Sequence, residues 1–417
     1  MKIIVVGAGV VGVTTAFFLE SGGHDVTIVE RNERAGMETS FANAGQLCHF
    51  TARPWASPAV PWMIAREFGS SGAPYLIHPR AEINMWRWLI SFLGQCRSSK
   101  YESTKSNLLR LAMHSTKLMQ ELLESTNVNF DYASEGILHL FHDQKSFDDA
   151  VEEQGQIPDV EQRGKILEYM ECTALEPALV QNDLKYAGGI LHMHEHTGDA
   201  HRFTLELSAL LEKNGAELQY GVSAEELIFD GDRVIGIGTN TGNLKADVVV
   251  VSAANDSVQL LKPAYRYLPI YPVKGYSITV ATDGYDGAPN IGINDHGRKI
   301  GFSRLGDRLR AAGTAEFGAR EKAPNPARIE ALKKLTREMF PSAGDFESAE
   351  LWAGFRPMTP DCSPIIGQTK YKNLFINTGH GSLGWSLACG SAHIIAEMIA
   401  GHIPPIEMSG LTIDRFG

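Results

Sequence analysis

Cysteine is scarce in this chain and scattered. Its five residues (Cys48, Cys96, Cys172, Cys362 and Cys389) include no CxxC pair. Neither a disulfide framework nor a cysteine-built zinc site is expected, and a reducing compartment is. Basic runs are missing too. No more than two Lys or Arg stand together, and 38 basic against 49 acidic residues give a net charge of −11. A chain of that sign makes a poor duplex nucleic-acid binder. No apolar stretch reaches the ~18 residues of a membrane span, and the first residues lack the apolar core and cleavage site of a leader. A cytoplasmic protein is expected. Internal repeats and low-complexity tracts are absent.

Glycine, by contrast, is plentiful: 41 of 417 residues, above the usual ~7%. The 43% hydrophobic content is that of an ordinary globular protein, and the length suits two or three domains. Glycine excess points to tight turns or to backbone lying close against a ligand.

The first thirty residues give that glycine a purpose. Lys2 to Val6 (KIIVV) is a short apolar run, as in a strand buried on both faces. Gly7-Ala8-Gly9-Val10-Val11-Gly12 follows at once, then a helical stretch over Val13 to Leu19, then Gly22-Gly23. A second strand, Val26 to Val29, closes on Glu30. This is a complete βαβ dinucleotide fingerprint. Gly7 permits the turn, Gly9 lets N–H groups of the helix start (Val10, Val11) approach a pyrophosphate, and Gly12 allows close helix–strand packing. Glu30 would accept ribose hydroxyls; Arg31 beside it leaves a 2′-phosphate open.

Both NAD and FAD use this arrangement. A simple NAD dehydrogenase would continue with βα units. Instead, Gly36 to Gly45 (GMETSFANAG) is small and polar, suited to a long ligand bonded by Thr39, Ser40 and Asn43. Arg233 to Gly238 and Asn243 to Ala254 read as a hairpin-like pair about Asn240-Thr241-Gly242, ending in the apolar strand ADVVVVSAA. Near the C-terminus the strand LFIN (Leu374 to Asn377) runs into a second glycine-rich turn, Thr378 to Trp385, and an Ala-rich helix over Ser386 to Ala400. Two such turns at opposite ends of one chain suit a cofactor gripped at both ends, as FAD is.

These segments, with YPVKGYS (Tyr271 to Ser277), WAGFRPMTPDCSPIIG (Trp352 to Gly367) and NTGHGSLGW (Asn377 to Trp385), resemble the D-amino-acid oxidase-like flavoproteins across essentially the whole chain. Within that group, which includes glycine oxidase and sarcosine oxidase, they are most similar to the bacterial D-amino acid dehydrogenases. The resemblance implies an α/β fold: a FAD-binding Rossmann-like domain (1–50, 190–260 and 345–417) plus an α+β substrate domain on an antiparallel sheet (51–189 and 261–344). It implies further cofactor contacts from Arg31, Ala44, Gly45, Gln46, Val222, Ala253, Gly354, Gly379, His380, Gly381, Ser382, Leu383 and Gly384. One departure is visible. The family usually has Gly after ADVVVVSAA, and Asn255 stands here, the least costly replacement if that position needs a positive φ.

Oxidation of an amino acid by a flavin requires a held carboxylate, an oriented Cα–H and a dry site. Arg356 is the expected carboxylate clamp, because a guanidinium offers two parallel donors; a structural Arg paired to Asp361 or Glu350 is the plain alternative. Tyr276 and, less strongly placed, Tyr271 are expected on the strand lining the substrate pocket, where each would otherwise be core. Lys274 is either near the flavin or solvated. His380 is expected to act through its backbone, since hydride transfer from a neutral amine needs no strong base. His192-Met193-His194-Glu195-His196 alternates as a strand would, yet nothing completes a metal site, and none is expected. Cys362 does not align with the covalent-flavin cysteine of sarcosine oxidase, so FAD is expected to be non-covalent. The apolar stretches Trp55 to Phe68 and Asn84 to Cys96 are read first as buried helices, with a membrane-interface helix as the alternative.

The expected activity is therefore oxidative deamination of a small D-amino acid, with electrons passed to a quinone or other acceptor. Oxidation of glycine, N-methyl or cyclic secondary amino acids is the sister reading. A non-catalytic FAD-binding subunit of an electron-transfer complex is the reading from another class. Self-association and a peripheral contact with the inner face of the cell membrane are left open.

Overall fold

The computed structural model describes residues 1–67, 75–157 and 159–416. The chain opens with strand β1 (Lys2–Val6), helix α1 (Val10–Ser21) and β2 (Asp25–Glu30). Helices α2 (Val60–Glu67), α3 (Ile83–Gln95) and α4 (Ser98–Ser125) lead to β3 (Ile137–Phe141) and β4 (Gly188–His192). Helix α5 (Ala200–Asn214) returns to β5 (Glu217–Tyr220), followed by β6 (Ala224–Asp230), β7 (Arg233–Thr239), β8 (Gly242–Lys245) and β9 (Val248–Val251). Strands β10 (Tyr271–Ala281), β11 (Gly292–Asp295), β12 (Ile300–Leu305) and β13 (Arg308–Phe317) precede helix α6 (Pro326–Met339). The chain ends through β14 (Glu350–Met358), β15 (Ile365–Gln368), β16 (Leu374–Thr378) and α7 (Gly384–Ile399).

Two sheets organise these elements. A six-stranded sheet has the order β15-β16-β9-β1-β2-β5, parallel except at β15. Its central strands are runs of Ile and Val buried on both faces, as parallel strands covered by helices must be. A nine-stranded, mostly antiparallel sheet runs β14-β10-β13-β12-β11-β3-β4 to the short edge strand Lys165–Glu168, with Tyr75–Ile77 beside β13. The α/β class with an added antiparallel sheet is the architecture expected.

Several local expectations change. The hairpin is β7 with β8, completed by β6. The run VVVV leaves it and enters the parallel sheet between β1 and β16, because four uninterrupted apolar residues suit a two-sided core better than a solvated hairpin. The positive φ after β9 belongs to Ala254 (+48°), not to Asn255. The His-rich stretch is no continuous strand: β4 stops at His192, a turn follows, and pairing resumes at His196. Glu195 in that turn is fully buried and accepts bonds from Thr51 and His139, so the segment is a core tie. Helix α4 buries Leu108, Leu111, Ala112, Leu118 and Leu122 in the same core as β1, α1 and α7, although its sequence lies inside 51–189.

Helix α3 has one buried face and one exposed apolar face. Met85, Trp88 and Phe92 are buried, and the Trp88 indole stacks on Phe92 and donates to the Met358 carbonyl. On another face Ile83, Trp86, Ile90 and Leu93 are exposed, as is Trp62 on α2. Phe68, the end of the first apolar stretch, lies outside the described residues. Among the described residues no helix is long and apolar enough to cross a membrane.

Candidate active site

A cavity of about 950 Å³ opens where the carboxyl ends of β1, β2, β9 and β16 meet the face of the antiparallel sheet formed by β10 and β14. The ends of parallel strands are where α/β sheets bind ligands, and the volume falls at the upper end of cofactor sites.

The first glycine turn behaves as its spacing requires. Gly7 has φ +103°, and a Cβ there would lie 2.7 Å from the Ser252 carbonyl oxygen. Gly12 packs so closely that a Cβ would overlap the carbonyl oxygen of Gly7. Gly9 precedes α1, and the Val10 N–H donates to Ser40 Oγ at 3.0 Å, which brings the GMETSFANAG loop onto the helix start. Glu30 accepts from the Ala8 N–H (2.8 Å) and from Asn32. Arg31 is engaged by Glu38 (2.8 Å) and Asp256 (2.6 Å), so the cation that a 2′-phosphate would require is already neutralised.

At the second turn, Gly379 and Gly381 take φ of +75° and +57°. Met358 Sδ would lie 2.6 Å from a Cβ on Gly381. The His380 ring meets Ser391 on α7 at 3.0 Å, and burial pushes its pKa down to about 3. The imidazole is thus neutral and committed to the helix; the Gly381 N–H is bonded to the Pro357 carbonyl and the His380 carbonyl to the Leu383 N–H, while residues 379–382 line the cavity.

Four cavity-lining residues carry buried polar atoms with no partner among the described residues: Ser252 Oγ, Asn255 Oδ1, Asn377 Oδ1 and Trp385 Nε1. Unsatisfied buried groups are costly, and several converging on one cavity indicate a polar ligand. A cavity lined by glycine turns after β1 and β16 and by these groups fits FAD.

Most of the residues expected at the cofactor line the cavity: Gly7, Gly9, Val10, Val11, Glu30, Arg31, Thr39, Ser40, Asn43, Ala44, Val222, Ala253, Gly354, Gly379, His380, Gly381, Ser382 and Gly384. Four do not. Gly12 is spent on helix–strand packing. Gly45 bonds to Asn43 Oδ1, and Gln46 donates to the carbonyls of Ile293 and Phe302. Leu383 is the N-cap of α7, packed against the parallel-sheet core. Asn255 and Trp352 line the cavity and were not assigned to it. The legible signals were a polar side chain just past a buried strand and an aromatic two residues before Gly354 on an alternating strand.

The three expected substrate residues, Arg356, Tyr271 and Tyr276, all line the cavity but differ in what their polar groups bond. In β10 and β14, Val273 pairs with Arg356, Gly275 with Gly354 and Ser277 with Trp352; Gly275, Trp352, Gly354 and Arg356 line the cavity, and Ser277 Oγ donates to the Ala42 carbonyl. Tyr276 also lines the cavity, but its side chain belongs to the apolar cluster of Ile278, Ile329 and Leu332 and its hydroxyl, the group expected to bond substrate, donates to Glu316. Lys274 is also buried, donating to the carbonyls of Glu321 and Ala323.

Arg356 has no carboxylate partner among the described residues; Asp361 is taken by Arg415, and Glu350 lies at the start of the strand. Its guanidinium donates to the Thr314 carbonyl (3.0 Å) and sits 5.3 Å from the Trp55 ring centre. Burial lowers its pKa to about 10, so it is still charged at neutral pH. Among the described residues no group of three His, Cys, Asp or Glu side chains is arranged to hold a metal ion.

Comparison with known proteins agrees with this geometry. A protein of Paramagnetospirillum magneticum named D-amino acid dehydrogenase is 44% identical over 419 residues, covering 100% of this chain and 99% of that protein. One of the same name from Agrobacterium fabrum is 39% identical, with both chains fully covered. Among solved structures, glycine oxidase from Geobacillus kaustophilus superposes with a TM-score of 0.76 at 20% identity over 99% of this chain and 98% of that one. L-proline dehydrogenase from P. horikoshii gives 0.73 at 18% identity over 100% and 97%. The family model described as DAO, FAD dependent oxidoreductase, matches residues 2–398, and the chain belongs to that family.

Proposed function

We propose that this protein oxidises small D-amino acids, D-alanine among them, to 2-oxo acids and ammonia, and delivers the electrons to a quinone-type acceptor. The observation that carries the reading is the Arg356 guanidinium, charged, without a carboxylate partner, at the wall of the cofactor cavity. A cation so placed is suited to a carboxylate-bearing substrate. The relatives' shared name supplies the D-amino acid.

FAD supplies the hydride acceptor for this chemistry. The protein's part is positional. Arg356 holds the carboxylate and thereby fixes the direction of the Cα–H. Trp352, Phe355 and Tyr271 close the wall against water. The amine reacts as the free base, so no strong base is required of the side chains. The imino acid formed takes up water after release, giving the 2-oxo acid and ammonia. Cys362 is buried outside the cavity lining, with its thiol pushed up to about 12, which supports a non-covalent cofactor.

Anaerobic mixing with D-alanine should bleach the visible flavin absorbance. If D-amino acids, glycine and N-methyl or cyclic amino acids all leave it unchanged, the reading falls. Arg356→Leu should raise KM on the order of 10²-fold with kcat less affected. Peroxide formation in place of quinone reduction would redirect the assignment to an oxidase.

The exposed residues Ile83, Trp86, Ile90 and Leu93 recur at helical spacing on α3, with Trp62 nearby in sequence on α2. This supports a peripheral contact with the inner face of the cell membrane, where a quinone would be met. The holoenzyme should float with neutral-lipid vesicles, and Ile90→Ser with Trp62→Ser should abolish flotation without changing D-alanine turnover. Failure of the parent protein to float removes the membrane contact.

A further inference from the structure

Three adjacent strands, β14, β10 and β13, meet at the Arg356 guanidinium. The side chain starts on β14, whose next neighbour is β10. To reach the Thr314 carbonyl it must cross β10, and it does so over Gly275. A Cβ built on Gly275 would overlap Cζ, Nη1 and Nη2 of Arg356. Gly275 is therefore the groove in which the guanidinium lies, and any side chain there would lift it away.

The far end of the groove is a bulge. Between the pairs Lys274–Glu316 and Tyr276–Gly313, β10 advances two residues where β13 advances three. The surplus is taken up next to Thr314, a non-glycine residue held at φ +60°. Bulges re-aim backbone groups that regular pairing would consume, and here the Thr314 carbonyl is turned to Arg356 Nη1. Positive φ in a β-branched residue is strained, so it persists only where the surroundings enforce it.

We propose that Gly275 and the Thr314 bulge are positioning elements for substrate recognition: they seat the Arg356 guanidinium on a neutral acceptor, so that its charge is left for the substrate carboxylate. A carboxylate at the Thr314 position would pair with the cation and compete with substrate, whereas a carbonyl orients it without neutralising it. The inference rests on the carboxylate-clamp reading of Arg356.

The test is Gly275→Ala in the holoenzyme, with D-alanine as substrate and propionate, a carboxylate without an amine, as competitive inhibitor. The KM for D-alanine and the inhibition constant for propionate should rise together, on the order of ten-fold or more, with kcat changed far less and flavin content equal to the parent. Unchanged constants overturn the proposal. Arg356→Leu measured alongside separates the two readings. If it raises KM while Gly275→Ala does not, the positioning role alone fails; if neither does, the clamp fails. Should Gly275→Ala not fold, the pair Gly275→Ala with Arg356→Ala decides. With the guanidinium gone, the added methyl should be accommodated and the double variant should fold as Arg356→Ala does. A double variant that stays unfolded shows that Gly275 serves the sheet and not the arginine, and the proposal falls.

Discussion

On the parallel-sheet wall of the cavity, glycine turns at strand ends bring backbone close to a ligand, beside the unpartnered side-chain atoms of Ser252, Asn255, Asn377 and Trp385. Glycine provides that approach, as at Gly7, Gly9, Gly379 and Gly381. On the antiparallel-sheet wall the groups offered are side chains, and the principal one is held by residues of three strands far apart in sequence. A glycine on the first wall shapes the chain's own path. A glycine on the second makes room for another residue's side chain. The same residue type thus serves two ends, and a single added methyl should have opposite consequences on the two walls.

The largest effect is expected at Gly12. A Cβ there would overlap a backbone oxygen of the adjoining turn, which no rotamer change relieves. Gly12→Ala should therefore cost about 3 kcal/mol or more of stability and yield protein with little bound flavin. Thermal unfolding and the flavin-to-protein absorbance ratio give the answer. Gly9→Ala is the control for stability alone, since within the protein its Cβ would meet only Ser40 Oγ at 3.5 Å, an ordinary contact, whereas on the cavity side it would face the ligand. A Gly12→Ala protein as yellow and as stable as the parent would remove the distinction between the walls.

This division also explains what could be read in advance. The fingerprint over 2–30 is one local βαβ unit, so its turns, its helix and Glu30 follow from consecutive residues and from hydrophobic period. The second glycine turn and Arg356 came from motifs, again local. The partner of the Tyr276 hydroxyl was not legible, because Glu316 comes from the neighbouring strand β13 and a strand's two faces cannot be told apart when both are buried. Gly275 was present in YPVKGYS, but its meaning depends on Arg356 crossing it from a neighbouring strand. Thr314 sits in a bulge, and bulges depend on the register of two strands, which no single segment specifies. The hairpin near 240 failed for a related reason: nothing in VVVV distinguishes an edge from the centre of a sheet.

The two tyrosines of the antiparallel wall give a smaller effect and a sharper comparison. Tyr276→Phe removes a hydroxyl bonded to Glu316, which keeps its contact with His78 at 2.6 Å. The expected outcome is a loss of about 1 kcal/mol of stability, with KM and kcat for D-alanine unchanged. Tyr271→Phe should instead alter KM by a few-fold with little change in stability. The reverse pattern would put the Tyr276 hydroxyl, and not that of Tyr271, on the substrate.

The smallest effect is expected where the two walls touch at the surface. Lys322, in the segment after β13, pairs with Glu38 of the GMETSFANAG loop at 2.7 Å, and its side chain is 68% exposed. An ion pair so open to solvent contributes about 0–1 kcal/mol and is weakened further by salt. The same segment is held from beneath by buried Lys274, whose ammonium donates to two backbone carbonyls, and charged donors in buried positions are the stronger ties. Lys322→Ala should therefore leave flavin retention nearly unchanged, and high salt should have as little effect on the parent. Lys274→Met should release the segment and raise the KM for D-alanine, because Ala319, Arg320 and Lys322 of this segment line the cavity. If Lys322→Ala alone strips the flavin, the surface pair couples the two walls. A methyl placed at Gly275 would then be felt at the dinucleotide end as well, and flavin content in that variant would fall together with substrate affinity.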